Sequence, residues 1–287
     1  MLVYLLATVL LGALLAPPLF WGAQALASHG ALTFLTRYDF ETFFHRALLV
    51  AAVVLAWPLI RSLEIRSLAD LQLAPNPHRG RDLIAGFLLS AVPLLCCAAV
   101  VIATPLFSIR AVINWPAVAK IAAAAIFVPI IEEAFFRGLV LGALLKTGRL
   151  YMSIFLTSFL YSVVHFLKAP EHTSMEVTWF SGFNSIAHAF EQFADPLLVG
   201  AGLTTLFLIG WIMAEARLLT RSLWLSIGLH AGWIFTAGAF NKIALRQFIA
   251  LPWLGKNLLV GFVPLGIACL TWLLMRGWLK YVDDRKA

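Results

Sequence analysis

Polar positions along this chain are sparse, and apolar ones are gathered into blocks longer than a strand or a soluble helix requires. Residues 2–26, 46–60, 83–107, 118–146, 150–167, 196–216, 222–240 and 257–275 are rich in Ala, Leu, Ile, Val and Phe. A hydrocarbon core takes about 20 such residues as a helix, and lipid offers nothing to an unpaired backbone group. The pattern therefore predicts an all-α fold: a polytopic membrane helix bundle of about eight transmembrane helices.

The breaks between blocks carry their own expectations. Pro17 and Pro18 should kink or end the first helix. That first block lacks a charged leading stretch, so it reads as a span rather than a signal peptide. Residues 27–45 read as a polar connection, and 61–82 as the most polar loop. Within that loop, Ser62 to Leu73 has the apolar spacing of a helix lying in the interface. The stretch 168–195 mixes His172, Trp179, Phe180, Asn184, His188 and Glu191, and reads as an amphipathic segment, a lid or a re-entrant piece. Gly138 and Gly142 form a small-xxx-small pair suited to close helix approach. No linker or internal repeat divides the chain, so one integral membrane domain is expected over 1–287.

Composition sharpens this picture. The chain is 62% hydrophobic and 12% charged, with mean hydropathy +0.91, which excludes the soluble classes. The net charge of +7 marks membrane topology rather than nucleic-acid binding, so no nucleic-acid partner is expected. With eight spans, Arg61, Arg66, Arg79, Arg81, Lys146, Arg149, Arg217, Arg221, Arg276, Lys280, Arg285 and Lys286 fall on one side, twelve in all. Arg37, Arg46, Arg110, Lys120, Lys168, Lys242, Arg246 and Lys256, eight in all, fall on the other. That bias puts both termini in the cytoplasm; the expected location is the cytoplasmic membrane of a prokaryote. Cys96, Cys97 and Cys269 lie in apolar spans and read as small buried hydrophobes.

The fourth block departs from the apolar rule. Glu132, Glu133 and Arg137 sit within six residues of it. Each such charge costs about 2.5–3.5 kcal/mol at a bilayer centre, so an ionisable group there implies a protein interior or a wet cavity, and a functional site by default, with a structural charge cluster as the alternative. Glu133 and Arg137 are four apart and can pair along one face. Glu132 points about 100° away, leaving a carboxylate free for proton transfer. His165 and His230 are the other ionisable groups inside spans. At about 1.5 Å per residue, Glu132 lies about 21 Å from Lys146, His165 about 24 Å from Arg149 and His230 about 13 Å from Arg221, which lets the three share a level. A carboxylate and two imidazoles could deprotonate a water and stabilise an oxyanion, or could hold a divalent metal. The remaining signals are bland: Glu215 and Arg217 read as a solvated helix end, and His29, His45, His78, His172 and His188 as surface or loop residues.

Glu-Glu-x-x-x-Arg at 132–137, a His near the end of the next span and a later Leu-His-Ala resemble the CPBP family. These are the type II CAAX prenyl proteases and their bacterial relatives, glutamic-type intramembrane proteases. The likeness covers roughly 118–240 as a catalytic core, with Ser67-Leu68-Ala69-Asp70-Leu71 similar to the family's lead-in. It implies a membrane protein or lipidated peptide as substrate, met in the lipid bilayer. It also implies Glu132 as the water-activating glutamate, His165 assisting, His230 at the oxyanion, and Glu133 paired with Arg137. It favours no cofactor, with Zn the alternative. Two positions depart from the family pattern: Tyr161 stands where Phe is usual, and Ile234 where Asn is common. If that Asn donates to the oxyanion, Tyr161, Trp233 and Asn184 are the candidate replacements. Ile234 also keeps open a non-catalytic scaffold or chaperone that retains the protease fold. A proton-relay transporter would lean on the same ionisable groups, but there is no repeat to support it.

Overall fold

The structure, a computed structural model, describes residues 2–166, 176–248, 250, 252–255 and 257–284. Lys168, His172, Lys256, Arg285 and Lys286, which entered the expectations above, lie outside the described residues. The helices are α1 Leu2–Ser28, α2 Phe40–Ser62, α3 Arg79–Ile102, α4 Trp115–Glu133, α5 Leu141–Leu145, α6 Leu150–Phe166, α7 Ser181–Phe190, α8 Pro196–Thr220, α9 Trp224–Ile243 and α10 Phe262–Asp284. A π-helical stretch, Ala134–Val140, joins α4 to α5. By length and composition α1, α2, α3, α8 and α10 can each cross a membrane, and α6 is a shorter apolar helix. The remaining expected spans coincide with α4 through α5 and with α9, which carry the ionisable groups. The protein is an all-α polytopic helix bundle.

Several boundaries differ from the hydropathy blocks. The second helix starts at Phe40, inside the expected connection, so Glu41 and His45 are helical. Asp39 precedes it in extended geometry and Glu41 sits in its first turn, where negative charge favours a helix start. Likewise α10 begins at Phe262 and runs to Asp284. The first helix is not broken: it runs unbroken through Pro17 and Pro18.

The chain forms two compact units, Met1–Arg66 with Leu167–Asp195, and Ser67–Phe166 with Pro196–Ala287. In the first, α1 and α2 run antiparallel: the Tyr4 hydroxyl donates to the Ala52 carbonyl at 2.8 Å, and Phe20 packs edge-on against Phe40. Pro17 cannot donate to Ala13, four residues earlier. The freed Ala13 carbonyl lies against Gly182 of α7, where a β-carbon would come within 2.2 Å of it.

In the second unit α3 and α9 run side by side and parallel, and glycine sets their distance. A β-carbon at Gly228 would stand 2.2 Å from the Leu83 carbonyl oxygen, and one at Gly232 2.0 Å from Ser90 Oγ. The close helix approach expected at Gly138 and Gly142 therefore occurs elsewhere. Gly138 faces the Leu71 carbonyl of a loop, and Gly142 faces the Arg217 side chain. Beyond the helices, β1 Phe107–Ile109 pairs antiparallel with β2 Ala244–Arg246, in register Phe107 with Arg246, Ser108 with Leu245 and Ile109 with Ala244. This clips the far ends of α3 and α9 together.

Three further expectations are corrected. Ser62–Leu73 does not continue as a helix: Asp70 Oδ2 accepts from the Ser67 amide at 2.8 Å and its hydroxyl at 2.9 Å, folding the loop into turns. Glu215 and Arg217 are not a solvated end. Glu215 accepts from Trp272 Nε1 and Arg276, and Arg217 is 3% exposed. Among the cysteines, all free, only Cys97 is buried; Cys96 and Cys269 are exposed on α3 and α10.

Replacing Gly232 by Ala should push α3 from α9 and destabilise the protein by about 1–3 kcal/mol. Gly277→Ala should be neutral, because nothing lies within 4 Å of the added carbon. Unfolding in mixed micelles would compare the two; equal stabilities would contradict glycine-set packing.

Candidate active site

Asn114 caps α4, accepting from the Ala117 amide at 3.0 Å, with Pro116 in the first turn. The helix delivers Glu132 and Glu133 at its last two positions and then widens. The π-helical stretch that follows was not foreseen; such widenings gather at functional sites. Its residues Phe136 to Val140, Arg137 among them, are buried.

Glu133 is the hub. Its Oε1 accepts from Arg137 Nη1 at 2.8 Å, both side chains being fully buried. The same oxygen faces His230 Nδ1 at 2.8 Å, and Oε2 accepts from the Ser226 hydroxyl. Arg137 also donates through Nη2 to the Gly210 carbonyl of α8 at 3.1 Å. Its guanidinium lies 4.4 Å from the Tyr161 ring centroid, a cation–π contact in a dry site. One carboxylate thus ties the π-helical stretch to α9, and Arg137 ties it to α8. The i,i+4 pairing expected from the sequence is present.

Glu132 faces elsewhere. Its Oε2 is 3.1 Å from His165 Nε2 and 3.6 Å from His230 Nε2. The first distance is a hydrogen bond; the second is too long for one. The two histidines are oriented from behind. His165 Nδ1 lies 2.8 Å from the Tyr161 carbonyl, which can only accept, so Nδ1 carries a proton. His165 Nε2 and Glu132 then share one further proton: either a carboxylic acid donates to the ring, or an imidazolium donates to the carboxylate. His230 Nδ1 similarly donates to Glu133, whose carboxylate faces Arg137. Both imidazoles therefore aim Nε2 at one oxygen of Glu132. The Glu132 and His165 side chains are 29% and 27% exposed, whereas His230 is 4% exposed. The spare carboxylate reaches an open space; its supports do not.

Tyr161 packs its ring against His165, centroids 4.0 Å apart, and edge-on against Phe136. Trp233 is buried in the apolar core with Phe136, Tyr161 and Leu229. Asn184 lies on α7, in the first unit, whereas Glu132 belongs to the second. Ile234 is half-buried on α9. Sequence reasoning missed Ser226, although it lies four residues before His230 and so on the same helical face. It also missed the Gly210 carbonyl, for which no side-chain signal exists. Among the described residues no group of three or more His, Cys, Asp or Glu side chains is placed to hold a metal ion. An apolar groove of about 340 Å³ is lined by α3, α4 and α9, with Phe87, Ile126, Ile130 and Phe235 in its walls.

The five residues thus form a carboxylate hydrogen-bonded to an imidazole, backed by a buried ion pair in a bundle of apolar helices. Residues 114–236 match the family model of the type II CAAX prenyl endopeptidase, Rce1-like, in agreement with the sequence resemblance. The matched stretch contains Glu132, Glu133, Arg137, His165 and His230. No curated protein and no solved structure matches the chain.

Glu133→Gln should leave Arg137 buried without its counter-charge and cost about 3–5 kcal/mol. Glu132→Gln, outside the ion pair, should leave unfolding unchanged. Unfolding midpoints in micelles separate the two; a stable Glu133→Gln variant would refute the hub.

Proposed function

We propose that this protein is an intramembrane endopeptidase that cuts a membrane-associated protein or lipidated peptide with a glutamate-activated water. The carrying observation is the Glu132–His165 hydrogen bond at 3.1 Å, partly open on one side and braced by Tyr161, Glu133 and Arg137 on the other. A water beside Glu132 gives its proton to the Glu132–His165 pair, and its oxygen attacks the peptide carbonyl carbon. His230 Nε2 faces the same place and can donate to the oxyanion as an imidazolium, with Glu133 as counter-charge through Nδ1. Collapse breaks the C–N bond, and the leaving amine takes the proton from the pair. A metal is not needed for any of these steps; Zn bound by the same nitrogens is the competing chemistry. The apolar groove beside Ile130, two residues before Glu132, supports a substrate that arrives through lipid. The bias of Lys and Arg supports both termini in the cytoplasm.

Ile234 favours a second reading, a scaffold that has kept the fold, because it supplies no donor where the family commonly has Asn. Cleavage decides between them. Purified protein in lipid would be incubated with membrane proteins and lipidated peptides, and new termini read by mass spectrometry. Wild type should cut, Glu132→Gln should not, and His165→Ala should lose about 10²–10⁴ in rate. A chelator should change nothing. Chelator-sensitive cutting would replace the glutamate mechanism by a metal one. Absence of any Glu132-dependent product would establish the scaffold.

A further inference from the structure

Arg217 plays no part in the site, yet it is one of the most enclosed charges in the second unit. It lies on α8, 3% exposed, and its Nε and Nη1 are shut from solvent with no hydrogen-bond partner among the described residues. A guanidinium stays protonated, so leaving one uncompensated in a dry bundle is costly. Natural structures answer such a group with a counter-charge, water or an ion. The nearest carboxylate in sequence, Glu215, is already engaged with Arg276 and Trp272.

The surroundings indicate the missing partner. Leu141 and Leu145 of α5, Ile154 of α6 and Ala214 and Leu218 of α8 form one cluster, so Arg217 sits where these three helices converge. Its Nη2 packs against Gly142, 3.5 Å from where a β-carbon there would stand. Lys146 follows the cluster's α5 segment, Arg149 precedes its α6 segment, and Arg221 is four residues beyond Arg217. All three are exposed. A buried cation behind three exposed ones, at the end of a membrane bundle, has the chemistry of a phosphate site. Lipid headgroups supply phosphates at that depth, and basic pockets between membrane helices bind them.

We propose that Arg217 is the inner ligand of a phosphate-binding site, with Lys146, Arg149 and Arg221 at its mouth. The guanidinium donates two hydrogen bonds to phosphate oxygens, which supplies the counter-charge the fold lacks. The phosphate comes from an anionic membrane lipid or from free phosphate.

The test is thermal unfolding of the full chain in neutral detergent, titrated with phosphatidylglycerol, phosphatidylcholine or inorganic phosphate. The variants are Arg217→Met and, as a control for general charge, Arg110→Gln. Phosphatidylglycerol should raise the wild-type and Arg110→Gln midpoints. Arg217→Met should need at least about tenfold more lipid for the same rise. A matching rise with inorganic phosphate would identify the free anion as the source; a rise with phosphatidylglycerol alone would identify the lipid. The proposal is overturned if no phosphate compound raises the wild-type midpoint. It is also overturned if Arg217→Met responds as wild type does, or if phosphatidylcholine and phosphatidylglycerol act equally. Arg217→Lys, which keeps the charge but loses the fork, should respond in between and guards against misfolding of the Met variant.

Discussion

The structure around the site depends on one carboxylate that cannot reach water. Glu133 is fully buried and accepts from Arg137, Ser226 and His230 at once. Two charges out of water repay their desolvation only when geometry and extra hydrogen bonds are good. Here the extra bonds run to different elements, α9 through Ser226 and His230 and α8 through the Gly210 carbonyl bound by Arg137. Satisfying the pair therefore dictates how three elements sit together. The guanidinium is not fully paired among the described residues: Nε has no hydrogen-bond partner there, and the Tyr161 ring supplies part of the compensation.

This arrangement separates support from chemistry. Adjacent residues, Glu132 and Glu133, differ by about 100° in direction, and that rotation divides a dry structural carboxylate from a partly open one. The imidazoles bridge the two roles. His230 is oriented by the structural carboxylate and aims its other nitrogen at the open one. His165 is oriented by a helix carbonyl and does the same. The glycine-lined contact of α9 with α3 then bears on the geometry around Glu132 as well as on packing, because it fixes the helix that carries Ser226 and His230. All of these residues lie in the second compact unit.

Much of this was legible beforehand because bilayer physics is severe. Lipid cannot pair a backbone group, so long apolar runs had to be helices, and their positions were found. Charge burial is costly, so Glu132, Glu133, Arg137, His165 and His230 stood out, and helical periodicity paired Glu133 with Arg137. Hydropathy was blind where hydrogen bonding or shape decides. It misplaced the start of α2, allowed for a helix end at Pro17 and Pro18 where the helix continues, and read the Asp70 turn as a helix.

The sequence by itself determined the class of fold, the helix carrying the carboxylates and the residues able to move protons, because each follows from local composition and a fixed period. Tertiary structure alone decided that both imidazoles converge on one oxygen of Glu132, that Ser226 and a Gly210 carbonyl complete the ion pair, and that the helix widens after Glu133. It also decided that Arg217 is buried rather than solvated, and that Gly228 and Gly232, not Gly138 and Gly142, bring two helices together. These depend on which faces of distant segments meet, and a one-dimensional period sets a face without naming its partner.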